Sequence, residues 1–463
     1  MPGTFKITTF GCQMNKSDSE RIQSLLVRCS LKPTDNEYES DVLIFNTCSV
    51  RQKAEDRVYG IHRSLEQLKQ ADPKRIIALT GCMAGRDHDG NIRRRLPLVD
   101  LFFPTTDIIH LPRMISGLRP DLIDPNQTEA GEFGHYLSIL PSYANRFQAY
   151  LAISNGCNKF CTYCVVPYAR GRQKDRPLAE VMEEARTLAR NGCLELTLLG
   201  QTVNLYNPPD KEFFSRGNPY EYAKNAFAAL MWELNQLEGI QRIHFTAPHP
   251  QYMDSQTIDA LTMKKNINYL HLPAQSGSNH ILKRMNRPYT REYYISKIDE
   301  IRSALPTISI GTDIIVGFSG ETEDDFDMTC DLYRRCDFDI AYLAQYSVRS
   351  GTAASRMYKD DVSAKDKKRR WDIVQQIMEE TVLKKNQVYA GTTVSVLVDS
   401  FEQGLCSGNS REMKRVIFRG HASDVGTIQD IRIDRAIEWV LYGSICEKNF
   451  LSNHVAAISS SSS

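Results

Sequence analysis

The segment QAYLAISNGCNKFCTYC, residues 148–164, joins an apolar run to three closely spaced cysteines. Residues 148–154 have the length and apolar content of a buried β-strand, so the segment predicts a strand followed by a polar loop. Cys157, Cys161 and Cys164 all lie in that loop, where simple core packing is a poor explanation for three cysteines. We therefore expect a metal site directly after this strand.

Five more strand-like runs follow along the chain, and helical patterns separate them. These runs cover residues 195–200, 242–247, 269–273, 308–318 and 341–347. Six strands that alternate with helices predict a partial (β/α)6 TIM-like barrel. In such barrels the chemistry sits at the carboxyl ends of the strands, which is where the three cysteines are expected.

A second α/β pattern precedes this barrel. FKITTFGC, DVLIFNTC and RIIALTGC each end an apolar run with a cysteine, at Cys12, Cys48 and Cys82. The cysteines are 36 and 34 residues apart, and a helical pattern follows each one. This period predicts a flavodoxin-like parallel sheet, at whose carboxyl edge the three thiols could converge.

The composition limits what the protein can be. Its net charge is +1, so any contact with nucleic acid must come from local basic surface. No apolar run approaches the roughly 20 residues of a membrane helix, and the first residues resemble no leader peptide. We expect a monomeric protein of the bacterial cytoplasm that does not contact membranes. In that setting its twelve cysteines favour metal binding over a disulfide framework.

The spacing Cys157-x3-Cys161-x2-Cys164 suits a 4Fe–4S cluster, because soft thiolates match iron–sulfur centres. Three ligands leave the fourth iron open for a substrate or cofactor. Zinc is the alternative metal, although zinc sites more often pair C-x2-C elements or add histidines. A zinc-stabilised RNA-binding module without catalysis is therefore the non-enzyme alternative.

This loop resembles the motif of the radical S-adenosylmethionine (SAM) superfamily. The resemblance implies that the open iron binds SAM and that SAM cleavage produces a 5′-deoxyadenosyl radical. Other stretches resemble the radical SAM methylthiotransferases, and within them the MiaB-type tRNA enzymes. These stretches are FGCQMN-x2-DSE at 10–20, FNTCSVRQKAEDRVYG at 45–60, LTGCMA at 79–84, LLGQTVNLY at 198–206, HLPAQSGSNHILKRMNRPYT at 271–290 and IIVGFSGETEDDF at 314–326.

The resemblance implies a sulfur-group transferase that makes 2-methylthio-isopentenyladenosine beside the anticodon, using two 4Fe–4S clusters and two SAM molecules. Cys12, Cys48 and Cys82 would hold the second cluster, and no catalytic residue is expected beyond the six ligands. The implied partners are a tRNA anticodon stem-loop, an electron donor such as flavodoxin or ferredoxin, and a sulfur source. Relatives that act on threonylcarbamoyladenosine in tRNA or on a ribosomal protein are the alternatives, but Gln13-Met14-Asn15 favours the MiaB type.

The predicted domains are an N-terminal methylthiotransferase domain at 4–120, a radical SAM core at 143–375 and a TRAM-like RNA-binding β-barrel at 384–447. Residues 448–463 are rich in serine and predict a disordered tail. Two stretches depart from the family pattern: RGRQKDRP replaces RGRE-x-SRP after the cluster loop, and Ser319 replaces a proline.

The candidate contact residues fall into two groups. Candidates for the SAM pocket are Tyr163, Gly200, Gln201, Asn204, Gln275, Ser276, Gly277, Gly317 and Glu321. Candidates for RNA contact are Arg170, Arg172, Lys174, Arg176, Lys367, Lys368, Arg369, Arg370, Lys414, Arg415 and Arg419. The cysteines without ligand spacing are expected to pack in the core: Cys29, Cys193, Cys330, Cys336, Cys406 and Cys446.

Overall fold

A computed structural model describes residues 3–49, 52–125 and 134–446, so the predicted tail lies outside the described residues. The N-terminal sheet contains β1 (Thr4–Phe10), β2 (Lys32–Pro33), β3 (Val42–Thr47), β4 (Ile76–Gly81) and β5 (Leu101–Phe102). Its strand order is β2-β1-β3-β4-β5 and every pairing is parallel. This order is the flavodoxin-like one, so the predicted class of the first sheet is confirmed.

Helices cover both faces of this sheet, and β3 and β4 are therefore buried along their whole length. The helices are α1 (Gln13–Arg28), α2 (Gln52–Gly60), α3 (His62–Ala71), α4 (Cys82–Gly85), α5 (Asn91–Arg94) and α6 (Leu111–Leu118). One apolar core includes Ile22, Ile44 and Ile115, and the other includes Leu43, Leu65 and Leu79.

The central part contains the six predicted strands and one short hairpin that the sequence did not predict. The strands are β6 (Gln148–Ala152), β7 (Ser154–Asn155), β8 (Lys174–Asp175), β9 (Glu195–Leu199), β10 (Arg242–Phe245), β11 (Tyr269–His271), β12 (Ser309–Val316) and β13 (Ile340–Gln345). Sheets β10-β9-β6 and β11-β12-β13 are both parallel, and β7 pairs with β8 in an antiparallel hairpin. A parallel bridge from Ile243 to Asn266 continues the first sheet toward β11. The predicted (β/α)6 arrangement is confirmed.

Helices pack against these strands. They are α7 (Val166–Arg170), α8 (Leu178–Arg190), α9 (Ala226–Gln236), α10 (Ser255–Leu261), α11 (Asn279–Arg284), α12 (Arg291–Ala304), α13 (Glu323–Cys336), α14 (Ala353–Met357) and α15 (Ala364–Gln387). Alternate strand residues such as Leu151, Leu198 and Ile310 belong to one core with the helices. Among the described residues no helix is long and apolar enough to cross a membrane.

The C-terminal part is a closed five-stranded barrel, as the sequence predicts for a TRAM-like module. Its strands are β14 (Thr393–Glu402), β15 (Leu405–Ser410), β16 (Arg415–Arg419), β17 (Ile428–Ala436) and β18 (Leu441–Ile445), in the order β14-β15-β16-β18-β17. The β15–β16 turn lies against the amino ends of the central strands. There Arg242 donates hydrogen bonds to the carbonyls of Asn409 and Ser410, and Lys414 pairs with Asp339 at 3.1 Å.

Gly85 on α4 lies directly against α7, the helix that follows the cysteine loop of the central part. A Cβ atom at this position would overlap the backbone carbonyl of Ala169 on α7. We expect Gly85→Ala to lower the free energy of unfolding by about 1–3 kcal/mol, because a backbone carbonyl cannot move aside as a flexible side chain can. Urea denaturation measures the change. Gly117→Ala is the matched control, since nothing lies within 4 Å of its Cβ and alanine favours helix, and it should stabilise by up to about 1 kcal/mol.

Candidate functional site

Cys12, Cys48 and Cys82 come together at the carboxyl edge of the N-terminal sheet. Cys12 precedes α1, Cys48 follows β3 and Cys82 begins α4, and the Cys48 thiol is in hydrogen-bonding contact with both other thiols. Gly81 makes this approach possible, because its φ is +97° and a Cβ there would overlap the backbone of Thr47. The strand order reverses between β1 and β3, so the thiols lie where ligands bind in open α/β sheets.

Electrostatics around these thiols favour the anionic form of two of them. Hydrogen bonding to Cys48, together with the positive charge of Arg170, lowers the pKa of Cys12 to about 6 and that of Cys82 to about 7. The same thiol–thiol contacts, followed by burial, raise the pKa of Cys48. Because thiolates are the form that binds iron and zinc, the site is prepared for a metal centre.

Two asparagines hold the start of α1 against the end of β3. The Asn15 amide donates to Asn46 Oδ1 at 2.9 Å, and the Asn46 amide donates to the Asn15 carbonyl at 2.8 Å. Asn15 Oδ1 also accepts from the Cys12 backbone N–H at 3.3 Å. These bonds fix the position of Cys12 relative to the neighbouring strand that leads to Cys48.

Cys157, Cys161 and Cys164 lie in the loop between β7 and α7, at the carboxyl end of the first barrel strand. The Cys157 sulfur accepts from the backbone N–H of Lys159 at 3.3 Å, and the Cys164 sulfur accepts from that of Val166 at 3.4 Å. Burial, followed by the nearby Cys161, raises the pKa of Cys164 to about 12. Metal binding at this loop would therefore release a proton from Cys164.

Two contacts at this loop come from residues that the sequence did not identify. Arg287 Nη1 donates to the Cys161 sulfur at 3.4 Å, and the Thr202 hydroxyl lies 3.5 Å from the Cys157 sulfur. Both residues belong to stretches that resemble the family, at 271–290 and 198–206. Their place in these stretches is the sequence signal that could have identified them. Donors to ligand sulfurs orient the ligands and tune the centre that they hold.

The donor sets fit clusters better than single ions. Each thiolate ligand of an iron–sulfur cluster binds a different iron, so a set of three cysteines suits a four-iron cluster with one open iron. Each set also consists of sulfur alone, with N–H donors directed at it, as iron–sulfur sites require. The residues present therefore fit two iron–sulfur clusters.

Curated relatives match this chain along nearly its whole length. A tRNA-2-methylthio-N(6)-dimethylallyladenosine synthase of Moorella thermoacetica is 37% identical over 450 residues, which cover 96% of the chain and 98% of the relative. The enzyme of the same name from Acetivibrio thermocellus is 38% identical over 447 residues, covering 95% and 90%. The chain belongs to this synthase family. The predicted family is confirmed.

Matches to individual parts of this synthase-family chain agree with that assignment. Residues 151–333 match the Radical SAM superfamily, and residues 4–104 match a family described as uncharacterized protein family UPF0004. Among solved structures, the radical S-adenosylmethionine methyltransferase TsrM from Kitasatospora setae has a TM-score of 0.52 at 13% identity, covering 77% of each chain. That likeness supports the fold of the central part.

The candidate SAM residues of this synthase-family member all lie on the cysteine loop or just beyond the carboxyl ends of β9, β11 and β12. Some of these residues already form hydrogen bonds or ion pairs within the protein. Asn204 exchanges two hydrogen bonds with the His249 backbone, and Glu321 accepts from Gly317 N–H at 2.6 Å and pairs with Arg370 at 2.8 Å. Gln275 has a φ of +70°, a rare conformation for a non-glycine residue that is typical of functional loops.

Five of the RNA candidates are buried in ion pairs, so their charges are already engaged within the protein. The pairs are Arg170–Asp18 at 2.6 Å, Arg176–Glu184 at 2.8 Å, Lys367–Asp360 at 2.6 Å, Arg370–Glu321 at 2.8 Å and Lys414–Asp339 at 3.1 Å. A buried charge that is already paired cannot reach a phosphate without breaking its pair. Exposed candidates are Arg172, Lys174, Lys368, Arg369 and Arg419, and Arg415 is half-buried beside Asp399.

The departure at RGRQKDRP falls on the β7–β8 hairpin. The Gln173 amide donates to Asp175 Oδ1 at 2.9 Å and to the Leu205 carbonyl at 3.1 Å. The acidic side chain that follows this loop is therefore held by its neighbour within the hairpin. Burial raises the pKa of Asp175 to about 6, although the Gln173 amide and a backbone N–H oppose the rise.

This raised pKa predicts a pH-dependent stability. Between about pH 4 and 6 the folded state binds a proton at Asp175 that the unfolded chain releases, so the free energy of unfolding falls as pH rises. We expect Asp175→Asn to remove this pH dependence. Its free energy of unfolding, relative to that of wild type, should rise by on the order of 1 kcal/mol from pH 5 to pH 7. Urea midpoints at the two pH values measure it. An equal change in both proteins would contradict the prediction, and Asp331→Asn, an exposed position, is the control.

Proposed function

We propose that the chain is a methylthiotransferase that inserts a methylthio group at carbon 2 of isopentenyladenosine, next to the anticodon of tRNA. The observation that carries the proposal is the presence of two separate three-cysteine sites in a member of the tRNA-2-methylthio-N(6)-dimethylallyladenosine synthase family. Each site lies at the carboxyl edge of a parallel sheet, where the fold leaves room for ligands.

SAM and two 4Fe–4S clusters, when bound, supply the radical, the sulfur and the methyl group of this reaction. Cys157, Cys161 and Cys164 would hold the cluster that works with SAM, since they lie in the part matching the Radical SAM superfamily. Cys12, Cys48 and Cys82 would hold the other cluster. The protein supplies placement, and buried surroundings that exclude water from a reactive radical.

The chain's own residues prepare both sites. Gly81 and the Asn15–Asn46 pair bring the N-terminal thiols together, while Arg287 and backbone N–H groups donate hydrogen bonds to the cysteine sulfurs in the loop of the radical SAM part. The rim beyond β9, β11 and β12 supports Gly200, Gln201, Gln275, Ser276 and their neighbours as the SAM pocket. The proposal also includes the domains at 4–120, 143–375 and 384–447, a monomer, an electron donor such as flavodoxin or ferredoxin, and a sulfur source.

Analysis of modified nucleosides tests the reaction directly. Anaerobically reconstituted protein would be incubated with SAM, a reductant and tRNA that carries isopentenyladenosine but no methylthio group. We expect 2-methylthio-isopentenyladenosine by mass spectrometry after nuclease digestion. Product on threonylcarbamoyladenosine tRNA or on a ribosomal protein would instead assign one of the related reactions. Zinc in place of iron, with RNA binding but no product, would indicate a non-catalytic module.

The exposed basic residues are the proposed RNA contacts. We expect Arg172→Glu combined with Arg369→Glu to weaken tRNA binding and to reduce the slope of log affinity against log salt by about one per lost phosphate contact. Filter binding at several salt concentrations measures this. Arg190→Glu changes another exposed arginine, outside the proposed surface, and is the control. Equal weakening by the control would point to net charge alone.

A further inference from the structure

Arg170 connects the two cysteine sites. It ends α7, the helix that begins just after Cys164, yet its Nε donates to the sulfur of Cys82 at 3.3 Å. The two residues are 88 positions apart in the chain, and Cys82 begins α4 at the edge of the N-terminal sheet. One side chain of the radical SAM part therefore touches a ligand position of the N-terminal part.

The rest of the guanidinium is fixed by buried partners. Nη2 pairs with Asp18 at 2.6 Å, Nη1 donates to Asn155 Oδ1 at 3.1 Å, and both charged side chains are only 1% exposed. Asp18 lies on α1, the helix that begins after Cys12. A buried arginine held on three sides cannot rotate away, so its contact with Cys82 is part of the fold.

We propose that Arg170 is a positioning residue for the cluster held by Cys12, Cys48 and Cys82. Its N–H donates to the Cys82 ligand sulfur, and its buried positive charge favours the more negative, reduced state of the cluster. Hydrogen bonds to cluster sulfurs and nearby charge are established determinants of reduction potential. The negative charge of Asp18 offsets part of the positive charge of Arg170. The inference rests on the proposed function only in requiring a cluster at these three cysteines.

The test measures the midpoint potential of this cluster alone. The parent protein carries Cys157→Ala, Cys161→Ala and Cys164→Ala, so that about four irons remain after anaerobic reconstitution. We expect Arg170→Met to move the potential to more negative values in an EPR-monitored titration. Arg170→Lys keeps the charge but loses the planar donor array, so it should shift less. Asp18→Asn should shift the potential in the opposite direction, which loss of structure alone would not produce.

Arg172→Met is the matched control, because it is the same substitution two residues away on an exposed side chain. The control should leave the potential unchanged. Intact four-iron centres with an unmoved potential in both Arg170 variants would overturn the Arg170 assignment and leave the proposed function standing. If Arg170→Met binds no iron, the Lys and Asn variants decide by the signs of their shifts. No iron in the parent would instead contradict the two-cluster function, and the Arg170 assignment with it.

Discussion

Replacing either set of three cysteines by alanine is expected to halve the iron content and abolish the methylthio product. Reconstituted wild type should hold about eight irons, and each triple variant about four, because the two sites lie on different sheets and share no ligand. The variant lacking Cys12, Cys48 and Cys82 should still cleave SAM to 5′-deoxyadenosine. The variant lacking Cys157, Cys161 and Cys164 should not. Iron and sulfide assays measure the cluster content, and product analysis measures 5′-deoxyadenosine and the methylthio nucleoside.

The control for this prediction uses three other buried cysteines, Cys193, Cys330 and Cys336. All three pack in the core of the central part, so Cys→Ala at these positions should lower stability without loss of iron. Loss of all iron in one triple variant would show that the sites do not assemble independently. Retention of eight irons in either variant would contradict the ligand assignment itself.

Glu184→Ala is expected to lower the free energy of unfolding by about 3–5 kcal/mol. The Glu184 carboxylate lies between Arg176 at 2.8 Å and Arg21 at 3.6 Å, and it accepts from the Tyr143 hydroxyl at 2.6 Å. Arg21 and Glu184 are 0% and 1% exposed. Removing the carboxylate leaves the buried Arg21 without its ion-pair partner, and it leaves Arg176 with only the more distant Glu180 at 3.6 Å. Arg21 lies on α1, so the loss should also loosen the contact between the N-terminal sheet and α8 of the barrel.

Glu183→Ala is the matched control, because it is the same change one residue earlier on the same helix. The Glu183 side chain is 62% exposed and pairs with Arg190 at 2.8 Å, an exposed pair of the kind that contributes at most about 1 kcal/mol. Urea denaturation followed by circular dichroism compares the two variants. A similar loss in both would show that the buried arginines find other partners when Glu184 is absent.

The sequence predicted the fold class and the family because both depend on local patterns. The hydrophobic period within a single segment indicates a strand or a helix. The positions of Cys12, Cys48 and Cys82 after three strands follow from such segments. Parallel sheets bring the ends of neighbouring strands to one edge. The convergence of the thiols could therefore be predicted without coordinates. The assignment of individual SAM and RNA contacts stays a prediction.

Only the tertiary structure decided what the basic residues do. Arg170 and Arg176, which follow the cysteine loop, resemble an RNA-binding surface in the sequence, but both are buried in ion pairs. Arg170 meets Asp18 across 152 residues, and Lys414 meets Asp339 across 75. A periodic pattern records whether a side chain is polar, but it does not record which distant carboxylate lies opposite. The sequence by itself determined where the thiols are, and long-range packing determined which charges serve the fold and which remain available to a ligand.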